Sequence, residues 1–115
     1  MILNQLQDKL QSLDDNVFYG AVDTSMKEAE WNYTVFDRVR VRFNANKTAY
    51  SDYYTVHIVR ENFIPEGLDQ EYINKILEID GMRLASDDGI YTRVTKNNTG
   101  HVVEMLSLTF VRARK

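Results

Sequence analysis

The chain has 115 residues, the size of one domain, and its 43% hydrophobic and 11% aromatic content predicts a globular core rather than disorder. It contains no cysteine, which excludes disulfides, thiolate metal ligands and cysteine nucleophiles, and with only two histidines we expect no histidine metal cage. The net charge of −3 disfavours a dedicated nucleic-acid-binding protein. We therefore expect a single domain over residues 1–115.

The sequence also bears on location. It contains no run of about 20 apolar residues, so we expect no membrane helix. Residues 1–5 lack both a basic region and a continuous apolar region, so we expect no signal peptide and a chain that stays in the cytosol.

The N-terminal region predicts a helix, a short strand and a loop. Four leucines recur at spacings of three and four residues and form one apolar helix stripe: Leu3, Leu6, Leu10 and Leu13. Asp14 and Asp15 interrupt this period, residues 17–22 predict a strand, and residues 23–30 predict an acidic loop.

A change to a period of two after Trp31 predicts a long β-hairpin. One face of its first strand is expected to be buried and carries Val39, Val41 and Phe43. The exposed face is expected to carry Arg38, Arg40 and Arg42. A turn at 44–47 leads to β-branched and aromatic residues at 53–60, which predict the return strand.

The second half predicts a helix at 69–80, capped by Asp69, and then further strands. The predicted inner face of this helix comprises Leu68, Tyr72, Ile73, Ile76, Leu77 and Ile79. Gly81 suits a left-handed position after its last turn. Residues 82–85 form a short strand or an extended link, and strands at 90–95 and 102–111 follow turns at 87–89 and 97–100. The last strand should point Leu106, Leu108 and Phe110 into the core.

These elements predict an α+β fold with two helices on one face of a mostly antiparallel sheet. The predicted order is α-β-β-β-α-β-β, with an extra short strand after the second helix left open.

The sequence lacks the motifs of common enzyme classes, including GxGxxG, the phosphate-binding GxxxxGK[ST] and the zinc-binding HExxH. Asp14 and Asp15 fall at a predicted turn, where an Asp side chain bonds the local backbone. His57 lies in mid-strand and is expected to be hydrogen-bonded or half-exposed rather than a general base. We predict no catalytic residue, no cofactor and no metal ligand.

Charge is unevenly distributed along the chain. Residues 1–30 carry six acidic and two basic side chains, and residues 61–90 carry eight and two. Residues 31–60 carry two acidic and five basic side chains, and residues 91–115 carry one and five. The helical segments are therefore acidic and the hairpins basic, so one copy can pack front to back against another.

The arginines of the first hairpin have three alternative interpretations: a solvated strand face, a device against edge pairing, or a nucleic-acid surface. A fourth interpretation is subunit contact. The residues predicted to make that contact are Arg38, Arg40, Arg42, Tyr53 and Tyr54. Tyrosine is enriched in contact surfaces, and the second face of the last strand, with Val103, Met105 and Val111, is more apolar than solvation requires.

By this layout the chain resembles the tail-terminator (tail-completion) and head–tail joining proteins of long-tailed bacteriophages, often called minor capsid or minor tail proteins. The resemblance covers most of the chain. It rests on the leading helix, a hairpin ending in Tyr-Tyr-Thr-Val-His-Ile-Val at 53–59, and a helix running into Asp-Gly-Met at 80–82. It ends with the strand Asn-Thr-Gly-His-Val-Val-Glu-Met-Leu-Ser-Leu-Thr-Phe at 98–110 and the basic tail Arg-Ala-Arg-Lys at 112–115.

The resemblance implies a non-enzymatic virion protein of the tail or neck, assembled in the host cytoplasm. Such proteins form a six-membered ring that stops growth of the tail tube and offers its other face to the head connector or stopper protein. Genomic DNA passes through the lumen without sequence-specific binding, and an acidic lumen would repel its phosphates. The acidic residues expected to face the lumen are Glu66, Glu71, Asp87 and Asp88.

Three alternatives remain open at this point. The first is a connector or stopper protein one layer closer to the head. The second is a small dimeric α+β ligand-binding domain or enzyme with a cleft between sheet and helices. The third, a cytosolic regulatory or nucleic-acid module, is disfavoured by the acidic balance.

Overall fold

The computed structural model describes residues 2–20, 32–43, 46, 49–85, 89–95 and 102–114. Within them lie the helices α1 (Ile2–Gln11) and α2 (Leu68–Ile76). The strands are β1 (Val17–Tyr19), β2 (Tyr33–Phe43), β3 (Tyr50–Glu61), β4 (Met82–Leu84), β5 (Ile90–Thr95) and β6 (Val102–Arg114). The predicted order is therefore wrong: three strands follow α2, because the short segment after it pairs with β6 as a strand of its own. The predicted loop at 23–30 and most of the predicted turns at 44–47, 87–89 and 97–100 lie outside the described residues.

The six strands form one mixed sheet. Its order is β1-β2-β3-β6-β4, and β5 also pairs with β6. β1 is parallel to β2, and the other pairs are antiparallel. The predicted hairpin is confirmed as β2–β3, in which Tyr33 pairs with Val59 and Phe43 with Tyr50. β4 and β5 follow one another along the outer edge of β6.

Both helices pack on one side of the sheet, which we call the helix face. Leu6 and Leu10 of α1 and Tyr72 and Ile76 of α2 are fully buried. They form one core with residues of the central strands: Phe36, Tyr54, Val56, Ile58, Leu106, Leu108 and Phe110. The predicted core positions of the last strand are therefore confirmed. No helix in the described part of the chain is long and apolar enough to cross a membrane.

The ends of α2 differ in part from the prediction. The N-cap residue is Gly67, with a φ of 94°, so the predicted capping role of Asp69 is wrong and this residue lies in the first turn. The helix ends at Ile76, and Leu77, predicted to face inward, is exposed beyond that end. The left-handed conformation predicted for Gly81 is confirmed by its φ of 82°.

The helices are short compared with the strands. At 1.5 Å per residue, the ten residues of α1 span about 15 Å, whereas the twelve residues of β3 span about 40 Å at 3.3 Å per residue. The helices therefore cover only part of a molecule whose longest dimension is 53 Å. We call the part of the hairpin beyond them the arm, residues 38–43 of β2 and 50–53 of β3.

Candidate functional site

A β-bulge divides the arginines of the arm between the two faces of the sheet. Arg38 pairs with Tyr54 and Arg40 pairs with Tyr53, which leaves Val39 as an extra residue in β2. Because side chains alternate along a strand, one extra residue reverses the faces beyond it. Arg38 therefore lies on the helix face, whereas Arg40 and Arg42 lie on the opposite face. The prediction that the three arginines share one face is wrong.

The apolar residues of the arm are not buried. Val39, Val41 and Phe43 are all exposed, and the side chain of Phe43 is 52% accessible. Val41 and Phe43 lie on the helix face, opposite Asp52 and Tyr50, but beyond the region that the helices cover. The predicted burial of these three residues is therefore wrong. Phe43 instead packs edge-on against Tyr50, with 5.1 Å between ring centroids.

Tyr53 holds two of the arginines together on the opposite face. The Arg40 guanidinium carbon lies 4.2 Å from the centre of the Tyr53 ring, and that of Arg42 lies 5.6 Å away. Both distances are in the range of cation–π attraction. The neighbouring Tyr54 is only 3% exposed and belongs to the core, so its side chain is not available to a second subunit. Of the five predicted contact residues, the structure brings together Arg40, Arg42 and Tyr53.

The outer edge of the arm is open among the described residues. β1 pairs with β2 only along Thr34–Phe36, and no described strand pairs with residues 38–43 on the side away from β3. A bulge and charged side chains are the usual protection of such an edge against strand addition. Protection of the edge thus explains the bulge and some of the arginines of β2. A partner of the arm would bind its side-chain faces rather than its backbone.

The opposite face of β6 does not offer the free apolar surface that its sequence predicts. Val103 and Val111 are buried within the single chain, and Met105 is half-buried. The expectation that this strand meets another chain through these residues is wrong for the two valines.

The acidic residues predicted to line a lumen are only partly placed. Glu66 and Glu71 are exposed, one before α2 and the other in its first turn. Asp87 and Asp88 lie outside the described residues.

A buried polar network that the sequence analysis missed lies on the helix face, far from the arm. Oδ2 of Asp14 accepts hydrogen bonds from Thr34 Oγ1 at 2.8 Å and from Arg60 Nη1 at 3.1 Å. Arg60 Nη2 donates to the Tyr72 hydroxyl at 3.1 Å, and that hydroxyl lies 2.8 Å from Thr34 Oγ1. Burial raises the pKa of Tyr72, although Thr34 and Arg60 act in the other direction. The network joins both helical regions to the sheet.

The sequence contained a signal for this network. Arg60 falls on the same face of β3 as Val56 and Ile58, and an arginine on a buried face requires a carboxylate or hydroxyl partner. The other Asp14 oxygen, Oδ1, accepts a hydrogen bond from the Asn16 backbone N–H at 3.0 Å, as predicted for a turn aspartate.

The remaining polar candidates in the described part of the chain do not form a recognisable reaction centre. His57 is half-buried, and its Nδ1 lies 2.8 Å from Ser107 Oγ, as expected for a hydrogen-bonded strand histidine. The described residues include no group of three or more His, Asp or Glu side chains that could hold a metal ion.

No protein-family model and no curated protein matches the chain. The family that its layout resembles therefore stays a prediction. The feature that stands out is the arm, where Val41 and Phe43 are exposed on one face and Arg40, Arg42 and Tyr53 form a cluster on the other.

Proposed function

We propose that this chain is a non-enzymatic virion structural protein, a tail terminator whose copies form a ring of six on the tail tube. The ring would stop the addition of tube subunits and join the tube to the head connector, with genomic DNA passing through its lumen. The observation that carries this proposal is the arm, because a single copy leaves its large apolar and arginine side chains accessible.

The composition of the arm supports an assembly role. Exposed phenylalanine and arginine side chains next to tyrosine are residue types enriched at protein–protein contacts, and the exposed valine beside them enlarges the apolar patch. Phe43 and Val41 occupy one face and Arg40 and Arg42 the other, so the arm presents two chemically different surfaces. A protein that joins copies of itself to a tail tube and to a connector needs several such surfaces.

The charge of the chain supports passage of DNA without binding. A net charge of −3 gives an assembled ring an acidic average surface, which repels phosphate and leaves the nucleic acid free to move. Exposed carboxylates such as Glu66 and Glu71 are suited to such a surface. The location that follows is the tail or neck of the virion.

The proposal is tested by adding the purified chain to polymerising tail-tube protein encoded in the same genome. We expect tubes that become shorter as the chain concentration rises, with a ring at one end in electron micrographs. A chain that binds only the connector would be a stopper protein. A chain that leaves tube length unchanged and instead binds a small molecule as a dimer would contradict the proposal.

A further inference from the structure

A second exposed surface lies beside the start of α2. Phe63 is 67% exposed and Tyr91 is 48% exposed, whereas the next residue after Phe63, Ile64, is buried. The Ile64 backbone N–H donates to Glu104 Oε1 at 2.8 Å, which ties this loop to β6. In the pairing of β5 with β6, Arg93 lies opposite Glu104 and Tyr91 lies opposite Leu106. The loop that carries Phe63 and strand β5 therefore meet at Glu104.

Acidic residues lie close to Tyr91 in space and close to Phe63 along the chain. Glu66 is exposed and Asp69 is half-exposed in the first turn of α2. The pKa of Tyr91 is raised by burial and then by the negative charges of Asp69 and Glu104, which agrees with a phenol close to both carboxylates. We call Phe63, Glu66, Asp69 and Tyr91 the aromatic–acidic patch.

Arg93 borders the patch but does not cancel its charge. Arg93 is exposed, and its Nε lies 3.2 Å from Glu104 Oε2. Arg93 is paired with Glu104, so its charge does not neutralise Glu66 and Asp69. These two carboxylates still give the patch a negative potential. A patch of aromatic rings and carboxylates is suited to guanidinium groups, which stack on the rings and pair with the carboxylates.

The patch and the arm lie at opposite ends of the sheet. β3 runs from Tyr50 in the arm to Glu61, eleven residues or about 36 Å away, and the chain then reaches Phe63 directly. An arm therefore cannot reach the patch of its own chain. A contact between them joins two copies through different surfaces. When each pair of copies makes it once, it is a heterologous contact that closes into a ring or extends as a chain.

We propose that the Arg40–Tyr53–Arg42 face of one arm docks on the aromatic–acidic patch of a second copy of this chain. The contact deepens the proposed function by naming the two surfaces through which copies associate. Arg40 and Arg42 face Glu66 and Asp69 across it, and Phe63 and Tyr91 give it an apolar centre. Glu66 then serves subunit contact rather than lining the lumen.

A charge exchange tests the contact, with oligomer mass read by light scattering and native mass spectrometry. The arm variant R40E/R42E and the patch variant E66K/D69K should each lose association at least tenfold. Their equimolar mixture should recover it, because each arm then meets a patch of opposite charge in alternating copies. The control D8K/D15K changes two exposed carboxylates, one in α1 and one after its end, by the same total charge and should associate like the natural chain. Circular dichroism checks that every variant is folded.

Cross-linking gives a second readout, since the chain has no cysteine of its own. A mixture of R42C and E66C should form a mixed disulfide dimer on oxidation, whereas R42C mixed with D8C should not. A cross-link that forms equally well in both mixtures would contradict the contact.

Several results would overturn the inference. They are a natural chain that stays monomeric at every concentration, a patch variant that associates normally, or a mixture that does not recover. Loss of association in V41S/F43S but not in R40E/R42E would place the contact on the other face of the arm. Copies that associate through the arm without shortening tail tubes would refute the proposed function while leaving the contact intact. If the natural chain shortens tail tubes but the charge variants associate as well as it does, the contact is refuted and the proposed function remains intact.

Discussion

Strand β2 has two halves with very different surroundings. In the inner half, Thr34 and Phe36 are buried beneath the helices, and Phe36 is 2% exposed. In the arm, residues 38–43 are exposed without exception. Alternation thus determines which side chains share a face, but the elements that cover the face determine whether it is buried. The inner half serves stability, and the arm remains accessible to partners.

The largest expected difference between the halves comes from removing one aromatic ring in each. Phe36→Ala should lower the free energy of unfolding by about 3–5 kcal/mol, because it leaves a cavity in the core. Phe43→Ala should lower it by less than about 1 kcal/mol, since half of this side chain already meets solvent. Urea unfolding followed by circular dichroism measures both. Similar losses would show that the arm is part of the cooperative core.

Two ion pairs, one in the buried polar network and one at the surface, extend the comparison between covered and exposed parts of the molecule. Arg60→Met should cost about 2–3 kcal/mol, because Asp14, whose side chain is 7% exposed, would lose its positive partner. The exposed pair Lys9–Glu78 serves as the control, and Lys9→Met should leave stability nearly unchanged. The same urea titrations compare them. An Arg60→Met variant as stable as the natural chain would mean that the network contributes nothing.

A smaller effect with a distinctive pH dependence is expected for Tyr72. Tyr72→Phe removes the hydroxyl that contacts Thr34 and Arg60, which should cost about 1–2 kcal/mol near pH 7. Burial raises the pKa of Tyr72 in the folded chain above its ordinary value of 10.0. The folded state therefore holds this proton more tightly than the unfolded state, and the contribution is complete below pH 10 and lost as the pH rises through the raised value.

The advantage of the natural chain over Tyr72→Phe should therefore stay constant below pH 10 and shrink as the pH rises above it. Urea midpoints of both proteins on either side of that pH measure the difference. Tyr33, whose pKa burial also raises, is present in both proteins, so its contribution cancels. A difference that also stays constant above pH 10 would contradict the assigned environment of Tyr72.

The smallest expected effect lies in the arm itself. Tyr53→Leu removes the ring that holds Arg40 and Arg42 and should cost only about 0.5–1 kcal/mol, as for exposed cation–π pairs. Thermal unfolding with and without 1 M NaCl measures it, because salt weakens the cation–π contribution and leaves the loss of apolar packing in place. A loss as large as that of Phe36→Ala would give the arm a role in folding.

Periodicity predicted the covered half of the molecule well. The spacing of Leu6 and Leu10 and the alternation of Leu106 and Phe110 led to correct core positions, because each pattern continues for as long as its element is covered. Met82–Leu84 is too short to show a period, and only its partner β6 makes it a strand. The exposure of Phe43 could have been anticipated by comparing the lengths of the predicted helices and strands.

The arrangement of the candidate site was harder to predict. The alternation of valine and arginine looks the same whether or not a residue is inserted, so the bulge at Val39 appears only through the pairing of β2 with β3. The Asp14–Arg60 contact joins residues 46 positions apart, and a local pattern carries no information about such a pair. Only the placement of Arg60 on an apolar face signalled that a partner had to exist.

The extra residue at Val39 makes the pairing of the two strands, rather than the chemistry of their side chains, the determinant of what each side of the hairpin presents. If the same residues paired regularly, without the bulge, the outer strand segment would turn over and carry valine and phenylalanine to where arginine now stands, while every position nearer the helices kept its neighbours. Deletion of Val39, by contrast, would leave Arg40 opposite Tyr53 and each side as it is. Loss of the bulge without loss of a residue thus offers a route by which related chains could exchange binding specificities without refolding their interior.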